Sequence, residues 1–105
     1  MLTILLISNA PLQTWYGGGQ LDNPACGGSR PSDNDLVVAA SESSGIPCHS
    51  TVHIHYHGKM VSAKVVDRCA GCDAKWLDLT KGTFKKLAGL DVGELHGVHI
   101  RVFPA

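Results

Sequence analysis

The sequence predicts an all-β fold, a small closed barrel with one or two short helices. Apolar and polar residues alternate from Thr51 to Tyr56, from Met60 to Asp67 and from Gly97 to Phe103, which is the period of a half-buried strand. The apolar run from Leu36 to Ala40 has the length of a buried strand. No helix-length pattern separates these strands as parallel βαβ units would require, so a small barrel is expected.

Turn and capping residues place the remaining elements. Residues 17–35 are rich in Gly, Asn, Asp, Pro and Ser and predict a long loop. Gly58-Lys59 predicts the turn of a hairpin, and Leu77 to Leu79 predicts a short strand end. Thr80 is expected to cap a brief helix that ends at Gly89.

Length and charge limit the functions that the chain can have. Its 105 residues allow one domain and one modest core. Nine basic and nine acidic residues cancel, and there is no block of like charge. Electrostatic binding to nucleic acid or to an anionic membrane is therefore not expected. We expect a monomer with a neutral partner and no cofactor.

The first ten residues form a short apolar run that has two interpretations. The run is too brief to cross a bilayer, which needs about 20 residues. It resembles the end of a signal peptide but lacks the basic segment that begins one. Residues 1–10 are thus either a signal-peptide remnant or an extra strand, and residues 11–105 are expected to form the barrel domain.

Four cysteines in a small, glycine-rich chain predict a secreted domain with two disulfide bonds, each worth roughly 2–4 kcal/mol. The residues alone leave three pairings open. A zinc site is the first alternative, although only Cys69 and Cys72 have the spacing of metal ligands. A redox function for that pair is the second, although no thioredoxin-like βαβ pattern surrounds it.

The most informative segment runs from Val65 to Cys72. It places Asp67 and a cysteine pair at the end of a predicted buried strand, and Asp78 follows six residues after Cys72. Polar groups at a strand end are held on a rigid scaffold, which suits a functional site. The competing interpretation of Asp67 is structural, since an Asp beside Arg68 often caps a loop.

Histidines form a second pattern. His53, His55 and His57 occupy one face of a predicted strand, and with His49 as a fourth ligand they could bind zinc, copper or nickel. Solvated polar residues are the preferred interpretation, so no metal site is assigned. Because histidine titrates near neutral pH, these residues would also make partner binding depend on pH.

Most of the chain, from about Thr14 to Phe103, resembles the double-psi β-barrels of the barwin, expansin and rare lipoprotein A type. The order and spacing of the matching segments carry the resemblance, and the single-domain fungal expansin-like proteins called loosenins are the most similar group. The segments are Thr14-Trp15-Tyr16-Gly17, Ala25-Cys26-Gly27, Leu36 to Ala40, Pro47-Cys48, Val65-Val66-Asp67-Arg68-Cys69, Leu77-Asp78-Leu79-Thr80 and Gly93-Glu94-Leu95-His96-Gly97. The resemblance implies a six-stranded double-psi β-barrel.

The resemblance also implies a binding groove. In the family that groove is lined by residues that correspond here to Thr14, Tyr16, Asp22 and Asp78, where aromatic rings stack on sugars and polar groups bond to hydroxyls. Trp76 stands where plant expansins have a histidine. It is expected either to offer a stacking surface or to plug the barrel end.

The same resemblance implies the disulfide pairing and the activity. The implied disulfides are Cys26 with Cys48 and Cys69 with Cys72. The implied function is a secreted protein that binds insoluble cell-wall polysaccharide, of the cellulose or chitin type, and loosens it without hydrolysis. In that process Asp78 would compete for sugar hydroxyls and do no covalent chemistry.

Two other functions are open. Asp78 with Asp22, if both face one groove, could act as the carboxyl pair of a glycosidase. The transglycosylase activity of rare lipoprotein A is not expected, because its catalytic Ala-His-Arg-Thr segment is replaced by residues 40–43, Ala-Ser-Glu-Ser. The chain could instead bind a protein, as kiwellins and a microbial inhibitor of papain-like cysteine proteases do. A protruding apolar loop would favour that role.

Overall fold

The computed structural model describes residues 5–105, and these residues form one eight-stranded sheet with short helical segments. The strands are β1 (Leu5–Ala10), β2 (Gln13–Tyr16), β3 (Val37–Ala40), β4 (Thr51–Tyr56), β5 (Lys59–Arg68), β6 (Leu77–Thr80), β7 (Glu94–Leu95) and β8 (Val98–Phe103). The α-helix is α1 (Lys81–Lys85), and 3-10 helices occupy Gly18–Leu21, Glu42–Ser44 and Leu90–Val92. The prediction of an all-β fold is confirmed.

The strand order is β1-β8-β4-β5-β3-β6-β2-β7. Two parallel pairs, β2 with β6 and β3 with β5, flank the antiparallel pair of β3 with β6. The six central strands correspond to the predicted barrel strands, and β1 and β7 add one strand at each end of the order. Residues 5–10 form β1, and the rest of the apolar run, residues 1–4, lies outside the described residues.

The hydrophobic core lies on the inner face of the sheet. The alternating residues of β4, β5 and β8 point into it as predicted, and α1 with the turn after it adds Phe84 and Leu87. The fully buried members with large side chains include Leu21, Ile46, Ile54, Leu77, Leu79, Phe84, Leu87, Leu95 and Ile100. Burying such side chains is worth roughly 1.5–3 kcal/mol each, so the core is the main source of stability.

Local boundaries differ from the predictions at two places. The hairpin turn is His57-Gly58, because both residues have positive φ (48° and 79°), and Lys59 is already the first residue of β5. Gly89 does not end the helix, so that prediction is wrong. The helix ends at Lys85, and the next two amides turn tightly onto the carbonyls of Thr83 and Phe84.

The predicted long loop, residues 17–35, is fastened to α1. Thr80 caps the helix as predicted by accepting a hydrogen bond from the Thr83 amide (3.3 Å), and its hydroxyl donates to the Asp35 carbonyl (2.6 Å). The Gly82 amide donates to the Asp33 carbonyl (2.7 Å).

None of the helices within residues 5–105 is long and apolar enough to cross a membrane.

Gly82→Ala should destabilise the protein, because a Cβ at this position would lie 2.6 Å from the Asn34 carbonyl oxygen. Helix propensity alone would make Ala more stable than Gly by about 1 kcal/mol. We expect the free energy of unfolding to fall by about 1 kcal/mol or more instead, because the new Cβ clashes with the Asn34 backbone. Urea unfolding gives the free energy. Gly19→Ala is the matched control, since its Cβ would meet no atom within 4 Å and its stability should be unchanged or higher.

Candidate polysaccharide-binding site

Backbone register brings the candidate residues of four strands into one line. Asp67 on β5 pairs with Ala39 on β3, Ala39 pairs with Asp78 on β6, and Asp78 pairs with Thr14 on β2. Directly paired residues point to the same face of a sheet. Asp67, Ala39, Asp78 and Thr14, which we call the cross-strand row, therefore place two carboxyls and a hydroxyl on one face, with the small Ala39 between the carboxyls.

A chain of hydrogen bonds fastens Trp76 to the cross-strand row. The indole Nε1 of Trp76 donates to Thr14 Oγ1 (2.8 Å), and Thr14 Oγ1 donates to Asp78 Oδ1 (2.9 Å). An indole can only donate and a carboxylate can only accept, so the direction of the chain is set. Trp76 is half-buried and is not a member of the core clusters, which favours a surface role over a plug.

Tyr16 forms the floor beside the row. Only 5% of it is exposed, and it packs with Leu21, Ala39 and Cys69. Its ring therefore does not offer the open stacking face that was expected. Its hydroxyl is buried without a hydrogen-bond partner among residues 5–105. A role for Tyr16 in substrate binding stays a prediction.

The two carboxyls of the row have different surroundings. Burial raises the pKa of Asp78, and the hydrogen bond from Thr14 offsets part of that rise. Burial, followed by the charges of Asp67 and Asp78, raises the pKa of Tyr16 well above its usual value, so the phenol stays neutral. Asp67 Oδ1 accepts the amides of Ala25 (2.9 Å) and Arg68 (2.8 Å), as the structural interpretation required.

Asp22 does not join the cross-strand row through any of its hydrogen bonds. It lies exposed after the Gly18–Leu21 3-10 helix and pairs with Arg30 at 2.6 Å. Arg30 also donates to the Gly18 carbonyl (2.8 Å), so the pair organises the loop. Glu94 is the residue that sequence reasoning missed, because it pairs with Thr14 across β2 and β7 and so extends the row.

Both implied disulfides are present, Cys26 with Cys48 and Cys69 with Cys72. Because no cysteine within residues 5–105 is free, the zinc interpretation is wrong. The Cys69–Cys72 loop directly follows β5, and Cys69 packs beside Tyr16. The disulfide loop thus lies next to the cross-strand row, on the side where Tyr16 is buried.

The histidines do not gather into a metal site. His53 lies against the Phe103 ring at 4.6 Å, and His57 stacks on Tyr56 at 4.0 Å in the hairpin turn. Across residues 5–105 no group of three metal-binding side chains, including any with His49 or His55, has the geometry to hold an ion.

Asp78→Asn should change how stability depends on pH. Since the pKa of Asp78 in the folded state exceeds its ordinary 3.8, the folded protein keeps this proton to higher pH than the unfolded chain does. The stability that comes from neutral Asp78 is complete below the unfolded pKa and is lost as the pH rises through the folded pKa. The free energy of unfolding of Asp78→Asn relative to wild type should therefore rise as the pH increases from below the ordinary pKa of 3.8 through the higher folded-state pKa. Urea unfolding across that range measures it, and a fall would contradict the burial of Asp78.

The sequence of the chain is similar to those of three known proteins. No protein-family model matches the chain. The papain inhibitor of Streptomyces mobaraensis is 38% identical over 48 residues, which are 46% of this chain and 34% of that protein. Allergen Asp f 7 of Aspergillus fumigatus is 33% identical over 67 residues (64% and 25%), and its Arthroderma benhamiae homolog is 31% identical over an alignment of 105 positions (81% and 35%). The chain thus spans about a third or less of these relatives.

Solved structures match over nearly the whole chain. The Streptomyces papain inhibitor has a TM-score of 0.78 at 25% identity, and the match covers 93% of this chain and 94% of that one. A mutant Clavibacter michiganensis expansin in complex with cellohexaose has a TM-score of 0.72 at 24% identity, covering 94% and 51%. The apo form of that expansin gives 0.73 at 23%, covering 91% and 50%. The protein is therefore a double-psi β-barrel of the kind shared by the papain inhibitor and the bacterial expansin, as the resemblance in sequence implied.

Proposed function

We propose that the protein binds insoluble cell-wall polysaccharide through the face that carries the cross-strand row, and loosens it without hydrolysis. The observation that carries the proposal is the hydrogen-bonded chain from Trp76 through Thr14 to Asp78. A half-exposed indole beside fixed hydroxyl and carboxyl groups matches the apolar faces and hydroxyls of a sugar chain. A related fold, the expansin, has been solved in complex with cellohexaose, which supports this class of ligand.

Loosening without cleavage agrees with how the carboxyls are engaged. Hydrolysis needs two carboxyls held on either side of one glycosidic bond. Asp22 is paired with Arg30 on the loop, and Asp67 already accepts two backbone amides. Glu94, which extends the row, lies 3.4 Å from His96 Nε2. Asp78 alone would then exchange hydrogen bonds with sugar hydroxyls, which separates chains and breaks no covalent bond.

The two disulfides support an extracellular location as part of this proposal. Two disulfides persist in oxidising surroundings, and wall polysaccharide lies outside the cell. The protein would then act outside the cell, where the wall polysaccharide is. A monomer suffices for this role, since the cross-strand row is built from one chain.

Inhibition of a papain-like protease is the second candidate, and one observation favours it. The Streptomyces papain inhibitor and this chain cover each other almost completely, whereas the expansin is about twice as long. Against this candidate, the expected apolar loop does not protrude, because Leu21 within residues 17–35 is only 1% exposed. The exposed large apolar side chains of the described residues, Leu6, Leu36, Met60 and Val92, all lie outside residues 17–35.

Washed cellulose and chitin should deplete the wild-type protein from solution without releasing new reducing ends. Asp78→Asn should bind about tenfold more weakly, which is the size of one lost hydrogen bond to a charged group. Asp91→Asn is the matched control, because it makes the same change at an exposed residue that is not part of the row and should bind as wild type does.

Other results of that assay have definite meanings. New reducing ends that disappear in Asp78→Asn would make the protein a glycosidase. No depletion, together with inhibition of papain by the same preparation, would replace the proposal with the second candidate.

Trp76 substitutions separate stacking from hydrogen bonding. Trp76→Phe keeps an aromatic face but removes the donor to Thr14, so cellulose binding should fall only a few-fold if stacking dominates. Trp76→Ala removes both and should cost about tenfold or more. Equal losses in the two variants would show that the indole N–H, and not the ring face, is the important group. Thermal unfolding of each variant checks that the barrel is intact.

A further inference from the structure

A separate cleft lies on the outer face of the sheet, over β1, β8 and β4. Its volume is about 340 Å³, and it is lined by Leu6, Ser8, His55, His99 and Arg101, which we call the histidine cleft. None of these residues belongs to β2, β3 or β6, which carry most of the cross-strand row. The histidine cleft is therefore a different surface from the proposed polysaccharide site.

Register explains why these side chains gather. Arg101 on β8 pairs with Leu6 on one side and with His53 on the other, and His99 pairs with His55. Paired residues share a face, so two rows of side chains cross the three strands and point away from the core. The alternation that fills the core with apolar residues thus produces a basic outer face.

The groups that face the cleft carry no negative charge. Strands β1, β4 and β8 contain no Asp or Glu, and within residues 5–105 neither Arg101 nor Lys64 makes an ion pair. The outward side chains are, strand by strand, Leu6 and Ser8 on β1, His99 and Arg101 on β8, His53 and His55 on β4, and Met60, Ser62 and Lys64 on β5. An uncompensated guanidinium beside imidazoles attracts an anion.

One imidazole is already oriented. The Asn9 amide donates to His99 Nδ1 at 3.3 Å, so the neutral ring carries its hydrogen on Nε2. Asn9 sits with φ of 53° where the β1 register shifts between Ile7 and Ala10, and such a bulge re-aims side chains at a sheet edge. His99 can therefore donate Nε2–H to a ligand while Asn9 holds the ring.

We propose that the histidine cleft binds an acidic sugar, with its carboxylate held by Arg101, His99 and His55. A guanidinium fork matches a carboxylate through two parallel hydrogen bonds. One permanent positive charge in the cleft suits a monoanion better than a doubly charged phosphate. The Ser8 hydroxyl and the Leu6 side chain, which is 58% exposed, match the hydroxyls and the apolar face of a sugar ring. The volume suits a small ligand and not a polypeptide segment.

The test is titration of the full chain with trigalacturonate, followed by calorimetry and by backbone amide NMR shifts. Shifts should centre on Ser8, His55, His99 and Arg101, and the fully methyl-esterified trisaccharide should not bind. Arg101→Gln should weaken binding about tenfold, and Lys85→Gln, an exposed control with the same loss of charge, should not.

Four outcomes would overturn the proposal. They are no binding at millimolar trigalacturonate, shifts centred on Thr14 and Asp78, equal binding of the esterified ligand, or tighter binding of inorganic phosphate or sulfate. Asp78→Asn should retain trigalacturonate binding, so failure here is distinguishable from failure of the proposed cellulose binding. Thermal unfolding of Arg101→Gln checks the fold, and since Arg101 is exposed its melting temperature should not change.

Discussion

The parallel pairing of β2 with β6 is the contact on which the functional face depends. It sets Thr14 opposite Asp78, and the neighbouring β3 then brings Ala39 and Asp67 into the same line. A slip of one residue in any of these pairs would turn the polar group to the core face. The buried residues that alternate with them, such as Leu77 and Leu79, oppose such a slip, so the core protects the geometry of the site.

Zero net charge conceals two surface regions of opposite charge on the outer side of the sheet. The cross-strand row carries Asp67 and Asp78 and is extended by Glu94, whereas the histidine cleft carries Arg101 and histidines without a carboxylate on its three strands. The balanced composition argues against a strongly charged partner, but it does not show how charged residues are distributed over the surface of the protein.

Much of the fold could be predicted from the sequence, because alternation is a local signal that identifies β4, β5 and β8 directly. Thr14, Trp76 and Asp78 were named through the family resemblance, and the structure brings these three together. Asp22 pairs with Arg30 on the loop and makes no hydrogen bond to the row, and a glycine-rich loop has no periodicity from which its position could be inferred. The two-residue β7 gave no signal either, so Glu94 was missed, and long-range register could not be inferred from spacing.

Two features of the candidate site are unfavourable for stability and are consistent with the proposed function. Tyr16 buries a hydroxyl without a hydrogen-bond partner among the described residues, and Asp78 is half-buried although burial disfavours its charge. Stability alone would favour Phe at position 16 and a neutral side chain at position 78. Buried polar groups that lack partners and shifted carboxyls concentrate at functional sites, where a ligand supplies the missing contacts. In the proposed function, hydroxyl groups of a sugar chain bound along the row would form hydrogen bonds with the half-buried Asp78 carboxyl, which is why we propose that this face of the barrel binds the ligand.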